Sequence, residues 1–285
     1  MTQISCVYSR TATGRLALVF AADLCSKLHG AEAPTTNGDK QTAQAEPAHD
    51  QPLHVYLRSD PAGAAAIEAS MTKAIGNLMA TEANLVRSDV LAKTNLAPDS
   101  IVLDSNHAAN GVIVDHNLAF ERADLSVLFP CRESTLLGRG NGPILIPFGD
   151  GQSVMPAAQV GFAMAKKLDL PVVLYHTTWT VPGLTAAEPQ AHMCDPAQAL
   201  LKTLQSMAEK SGVECSVVVE TADDVVEGLL HCALRRSARL IVMSRSAKTT
   251  IGCYVSQTLR KTPIPLLAIA SPRAKVATVK NGGAT

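Results

Sequence analysis

The residues best suited to chemistry lie in two short stretches of the second half of the chain. One is Gly149-Asp150-Gly151, a carboxylate set in a turn of small residues. The other is Ser244-Arg245-Ser246-Ala247-Lys248-Thr249-Thr250, followed by Gly252 and Cys253. Two cations and several hydroxyls suit that second stretch to an anion. Lys248 supplies a point charge, Arg245 a planar fork of donors, and Gly252 lets a helix start approach a ligand closely. The same residues equally suit a solvated turn whose Ser and Thr side chains cap the next helix. Asp150 also has two roles open to it: hydrogen-bonding a ribose or adenine edge, or stabilising its own turn.

No set of nucleophile, base and orienting group is legible. Gly-x-Ser-x-Gly, His-Glu-x-x-His and carboxylates paired at helical spacing are all missing. The cysteines are Cys6, Cys25, Cys131, Cys194, Cys215, Cys232 and Cys253, scattered and without a Cys-x-x-Cys pair. Reduced, buried thiols are the expectation. Lys248 and a helix start favour a redox-sensitive thiolate at Cys253, whereas burial would leave it inert. His192-Met193-Cys194-Asp195 resembles metal ligands, but no partner pair stands at zinc spacing, so no metal site is expected. His116 and His231 suggest a shared helix position, His176 ends an apolar run, and Trp179 lies just beyond it.

The elements that must hold these residues read most clearly from Ile144 to Leu174. Ile144–Phe148 is an apolar run, Ser153 a helix cap, and Val154, Ala158, Gly161, Ala165 and Leu168 the apolar face of a helix. Val172–His176 begins a second strand, giving a βαβ unit whose polar turn lies at the carboxyl end of its first strand. Downstream, Asp195 caps a helix with Pro196 at its start and Gly212 at its end. Val213–Glu220 is a strand, Thr221–Asp224 a capping box, Leu240–Met243 a strand, Thr250–Lys261 a helix and Ile264–Ala270 the last strand.

The first half reads as a weaker copy. Ile4–Tyr8 and a helix over Thr13–Leu28 align with Ile144–Phe148 and the helix after it, and both helices end in Lys-Leu. Residues 31–51 have no apolar period and are expected to form a flexible surface excursion. Leu53–Leu57 is a strand and Ala64–Met79 a helix, while Thr81–Pro98 carries no clear signal. Ile101–Leu103 is a strand whose Val102-Leu103 aligns with Val217-Val218, the helix Gly111–Phe120 aligns with the one after Asp224, and Ala123–Phe129 with Ala238–Ser244. On that alignment the first half lacks the last helix and strand.

Size and composition fit this picture. The chain has 285 residues, and 47% of them are apolar with few aromatics, as in helix-covered parallel sheets. Lys and Arg number 25, as do Asp and Glu, so no net charge draws the protein to nucleic acid. No apolar run approaches the roughly 20 residues of a membrane span. A soluble cytoplasmic protein is expected.

Residues 143–271 resemble the universal stress protein family. The phrases that carry the resemblance are ILIPFGDG, VVLYH, SARLIVMS and LRKTPIPLLAI. It implies an α/β fold of two pseudo-repeated parallel-sheet domains: a degenerate one over 1–140, a second over 141–272, and a tail over 273–285. It also implies an adenine-nucleotide site, with ATP or AMP held weakly at Pro147, Phe148, Asp150, Val173, Met243, Ser244, Arg245, Ser246, Lys248, Gly252 and Cys253. The family's aspartate falls one residue early relative to Asp150, and its Gly-x-x-Gly is replaced by Ser244-Arg245-Ser246-Ala247. The resemblance therefore implies a non-enzymatic stress-response module with an altered site, self-associating or acting on a protein partner. A nucleotide hydrolase and a ligand-free scaffold are the alternatives.

Overall fold

Short apolar segments ended by turns build one ten-stranded sheet. The computed structural model describes β1 (Ile4–Tyr8), β2 (Leu53–Leu57), β3 (Ala83–Arg87), β4 (Ile101–Asp104) and β5 (Ser126–Phe129). It also describes the helical residues Ala21 and Leu24, and residues 141–178, 193–245 and 251–270. The expected helices at Ala64–Met79 and Gly111–Phe120 lie outside these residues. So do the excursion at 31–51, Trp179, His116, the stretch Ser246–Thr250 and the tail.

The second half runs β6 (Ile144–Pro147), a 3-10 turn (Gln152–Val154), α1 (Met155–Leu168), β7 (Val172–Thr178) and α2 (Asp195–Ser211). It continues with β8 (Cys215–Thr221), α3 (Val225–Arg235), β9 (Leu240–Arg245), α4 (Ile251–Lys261) and β10 (Leu266–Ala270). The sheet order is β3-β2-β1-β4-β5-β10-β9-β6-β7-β8. Each half thus repeats one five-stranded order, and every pairing within a half is parallel. The halves meet where β5 and β10 pair antiparallel, with Leu128 opposite Leu267. The amide of Ala270 donates to Ser126 Oγ at 3.1 Å across this seam.

This order corrects the reading of the first half. ANLVR at Ala83–Arg87 is a strand, pairing with β2 from Leu53–Ala83 to Leu57–Arg87. Ile101–Asp104 is therefore a fourth strand rather than a third, and Ser126–Phe129 a fifth rather than a fourth. No last strand is missing. The error has a physical source: β3 carries Asn84 within it and Arg87 at its end, and pairs with β2 alone among the described strands. Its sequence shows little of the apolar run that marks a strand buried on both faces.

The core lies on both faces of the sheet. Ile144, Ile146, Val172, Leu174, Leu240 and Val242 pack with Ala158, Phe162 and Ala165 of α1 and Leu200 and Leu204 of α2. Ala21, Leu24 and Leu128 join this cluster, so part of the first half shares its core. On the other face Leu145, Val173, Tyr175, Ile241 and Met243 pack with Leu229 and Ala233 of α3 and Val255 and Leu259 of α4. Gly161 lets α1 come close to β6, since a Cβ there would lie 2.5 Å from Ile146 Cδ1. Gly212 ends α2 at φ +66°, as its position after the apolar face predicts.

Candidate functional site

In a sheet ordered this way, successive connections diverge between the first and fourth strands, here β6 and β9. That switch point is where open parallel sheets hold ligands, beyond the carboxyl ends. The ladder between the two strands comprises only Ile144–Leu240 and Leu145–Ile241. Both strands run further, to Pro147 and Arg245. Beyond Leu145–Ile241 the two strand ends are no longer paired with each other, and several of the predicted residues lie there.

On the β6 side, Pro147 is half-buried, Phe148 buried, and Asp150 exposed in the turn that follows. The Phe148 amide donates to the Tyr175 carbonyl at 2.9 Å. His176 Nδ1 lies 2.9 Å from the Phe148 carbonyl oxygen. A carbonyl only accepts, so Nδ1 carries the proton of this bond. The two rings stack with centroids 4.9 Å apart and planes 28° from parallel. His176 thus locks the carboxyl end of β6 by packing and a hydrogen bond.

Beyond Phe148 the turn has room around it among the described residues. A Cβ at Gly149 would meet nothing within 4 Å, and one at Gly151 only Ser153 Oγ at 3.9 Å. Ser153 was expected to cap α1. Instead it sits within the 3-10 turn, the N-cap is Val154, and no side chain caps the helix. A similar correction holds for α2, where Asp195 is the first helical residue and Cys194 the N-cap without a side-chain bond. At α3 the expected capping box does not form either: Thr221 is the last residue of β8, and Asp224 is itself the N-cap, accepting from the amides of Val226 at 2.7 Å and Glu227 at 3.1 Å.

On the β9 side, Leu240 and Val242 face α1 while Ile241 and Met243 face α3 and α4. Alternation then turns Ser244 toward α1 and Arg245 to the other face. β9 lies against the 3-10 turn that opens α1. Ser244 is only 9% exposed, and its hydroxyl is buried without a hydrogen-bond partner. Arg245 is half-buried at the strand end. Ser246 and Lys248 lie outside the described residues, and of Gly252 and Cys253 only the helical backbone is described.

Val173 does not join this group. It is the second residue of β7, 3% exposed, paired with Leu145 and Ser216 in the middle of the sheet. Met243 is buried in the same face of the core. A second polar group went unread in the sequence. The hydroxyls of Tyr175 and Thr177 are buried beneath α3 without hydrogen-bond partners of normal geometry. Burial pushes the Tyr175 hydroxyl up to about 12, while the nearby Thr177 hydroxyl pulls it down. Burial likewise raises the Cys215 thiol to about 11 and lifts that of Cys232. Both resist forming a thiolate. Among the described residues no three His, Cys, Asp or Glu side chains gather, and no helix is long and apolar enough to cross a membrane.

No protein-family model and no curated protein matches this chain. Solved structures do. A universal stress protein from Archaeoglobus fulgidus DSM 4304 superposes with a TM-score of 0.66 at 12% identity, covering 94% of this chain and 98% of that one. A functionally unknown protein from Pseudomonas aeruginosa PAO1 gives a TM-score of 0.59 at 11% identity, covering 94% of this chain and 92% of that one. At such identities the likeness is one of fold. The α/β architecture of a universal stress protein runs through nearly the whole chain.

Proposed function

We propose that this chain is a tandem universal stress protein whose second unit, residues 141–272, holds an adenine nucleotide beyond the end of the β6–β9 ladder. It would act as a cytoplasmic regulatory module in a stress response, passing occupancy to a protein partner or a second copy, without turning the nucleotide over. One observation carries this reading: the β6–β9 ladder stops after Leu145–Ile241 although both strands continue. Asp150 is exposed beside that gap and suits ribose hydroxyls. Pro147 and Phe148 border it from β6, and Met243, Ser244 and Arg245 end the strand opposite. Ser246, Lys248, Gly252 and Cys253 follow in the chain and belong to the site as read from the sequence.

Asp150 is exposed beside the gap, and a hydrolase that uses it on a nucleotide is the competing reading. Calorimetry with AMP, ATP and adenosine, joined to a phosphate-release assay, tests the reading. AMP should bind, and ATP more weakly than about 1 μM, which corresponds to about 8 kcal/mol. Phosphate release should not exceed the protein-free rate. Tight magnesium-dependent ATP binding with turnover would replace this reading with a hydrolase, and no binding of any of the three would leave a scaffold.

A further inference from the structure

The outer edge of the second half carries unused backbone. β8 ends the sheet, and among the described strands only β7 pairs with it. The Val172 amide donates to the Glu214 carbonyl at 2.8 Å, and the Ala222 amide to the Thr178 carbonyl at 3.2 Å. Backbone groups point alternately to the two sides of a strand, so Ser216, Val218 and Glu220 bond β7 as well. Cys215, Val217, Val219 and Thr221 turn their N–H and C=O groups the other way. None of these meets a backbone partner among the described residues.

Such an edge is normally guarded by a charge, a proline or a bulge. CSVVVET has neither proline nor glycine, and its register with β7 runs unbroken from Cys215 to Thr221. Its one charge, Glu220, bonds Arg235 of α3. The other outer edge, β3, closes on Arg87. Cys215, Val217 and Val219 are only partly buried against the core on the α2 face. An apolar strip therefore runs beside the unpaired backbone.

The geometry points to β8 as the surface for a second copy of this chain, joined strand to strand, antiparallel, about a twofold axis. An added strand satisfies such a row of donors and acceptors, and a twofold lets each copy supply what the other lacks. Outward residues must face outward residues, which leaves few registers. Centring on Val218 sets Val217 opposite Val219 and Cys215 opposite Thr221, so every outward residue is used. Centring on Val217 would set Glu214 opposite Glu220, two like charges. Centring on Val219 would leave Cys215 beyond the partner strand's end. This inference gives a surface to the second copy in the proposed function, and it stands without the nucleotide.

The test is sedimentation of the full chain from about 1 to 100 μM, where small interfaces associate. A reversible equilibrium that stops at the dimer is expected. Val217→Pro removes an outward N–H and leaves the β7 ladder intact. It should weaken dimerisation by about tenfold or more, with the thermal midpoint near wild type. Val217→Lys should do the same, its stem covering the α2 face while its charge guards the edge. Val218→Cys sets two thiols across the axis with Cα atoms about 4.5 Å apart, and should crosslink well above the wild-type background. A wild-type chain that stays monomeric throughout overturns the assignment. So does a dimer that both Val217 variants leave intact, or one that Val218→Cys fails to crosslink. Assembly that grows past the dimer, as β8 meeting β3 would give, overturns it too. AMP calorimetry on the same samples separates the two readings. A dimer that takes up no AMP keeps this surface and drops the nucleotide, and AMP binding by a monomer does the reverse.

Discussion

The hydroxyl of Tyr175 ends against the backbone of Gly228: a Cβ at Gly228 would lie 2.5 Å from it and 3.0 Å from the Ala222 Cβ. Helix α3 can sit this low on β7 only because residue 228 has no side chain. The phenol is stiff and fully buried, so neither partner can yield cheaply. Gly228→Ala should therefore destabilise the protein by about 1–3 kcal/mol in denaturant titration. Tyr175→Phe should be close to neutral, since its hydroxyl lacks a partner. In the double variant the nearest ring atom would stand 3.8 Å from the new methyl, so most of the loss should return. Additive single effects would show that the clash is not between these two residues.

The same tyrosine sets an alkaline limit. Its folded-state value is raised to about 12 from 10.0. The folded protein therefore holds this proton longer than the unfolded chain does. Its contribution to stability is full below about pH 10 and is lost as pH rises through 12, by roughly 2–3 kcal/mol at the limit. Denaturation midpoints measured from pH 9 to 12 should fall less steeply for Tyr175→Phe than for wild type. Parallel curves would mean that Tyr175 ionises as freely folded as unfolded.

The β5–β10 seam should make the two halves unfold together. Leu128 is fully buried opposite Leu267 and shares its cluster with Leu24 and Ile144. Leu128→Ala should cost about 2–5 kcal/mol. Its thermal transition should stay single, with calorimetric and spectroscopic midpoints coincident. Two separated transitions in the wild type would contradict a shared core.

At α3, Asp224 satisfies two amides that would otherwise have no intrahelical partner. Asp224→Ala should cost about 1 kcal/mol. Asp224→Asn should keep most of that stability, because the amide oxygen can still accept. Lys261 Nζ stands 3.9 Å from Asp224 but 3.2 Å from Glu227, whose side chains are 44% and 62% exposed. Lys261→Ala should consequently change stability by less than about 0.5 kcal/mol. An equal loss in the Ala and Asn variants of Asp224 would assign its role to charge instead of capping.

Much of the second half was legible because each of its strands is a compact apolar run with a turn signal at its end. Ile144–Pro147 before Gly149 and Leu266–Ala270 after Pro265 are of this kind, since a strand covered on both faces needs no alternation. β3 escaped notice because ANLVR offers neither a continuous apolar run nor a strict alternation. One unread strand shifted the place of every later strand in that half. Helix starts were misplaced by one to three residues. Asp224, the last residue of the expected box, itself caps α3, and the backbone enters α1 through a 3-10 turn that contains Ser153.

The site divides in the same way. Asp150 and Phe148 were singled out because they follow an apolar strand at a glycine turn, a signal contained in adjacent residues. Val173 was carried over by resemblance and proves to be core. The state of Ser244 depends on where the β6–β9 ladder ends and on what lies against β9. The niche of Tyr175 depends on a helix glycine far along the chain. Neither is written in any local pattern.

The antiparallel seam has a geometric consequence for the whole molecule. Within each half all strands run one way, and at β5 and β10 the directions oppose. The carboxyl ends of β1–β5 therefore emerge on one rim of the sheet, and those of β6–β10 on the opposite rim. A strand of five residues spans about 17 Å, so ligands on the two rims would be out of each other's reach. Each rim can meet its own partner, and any signal between them must travel through the sheet itself.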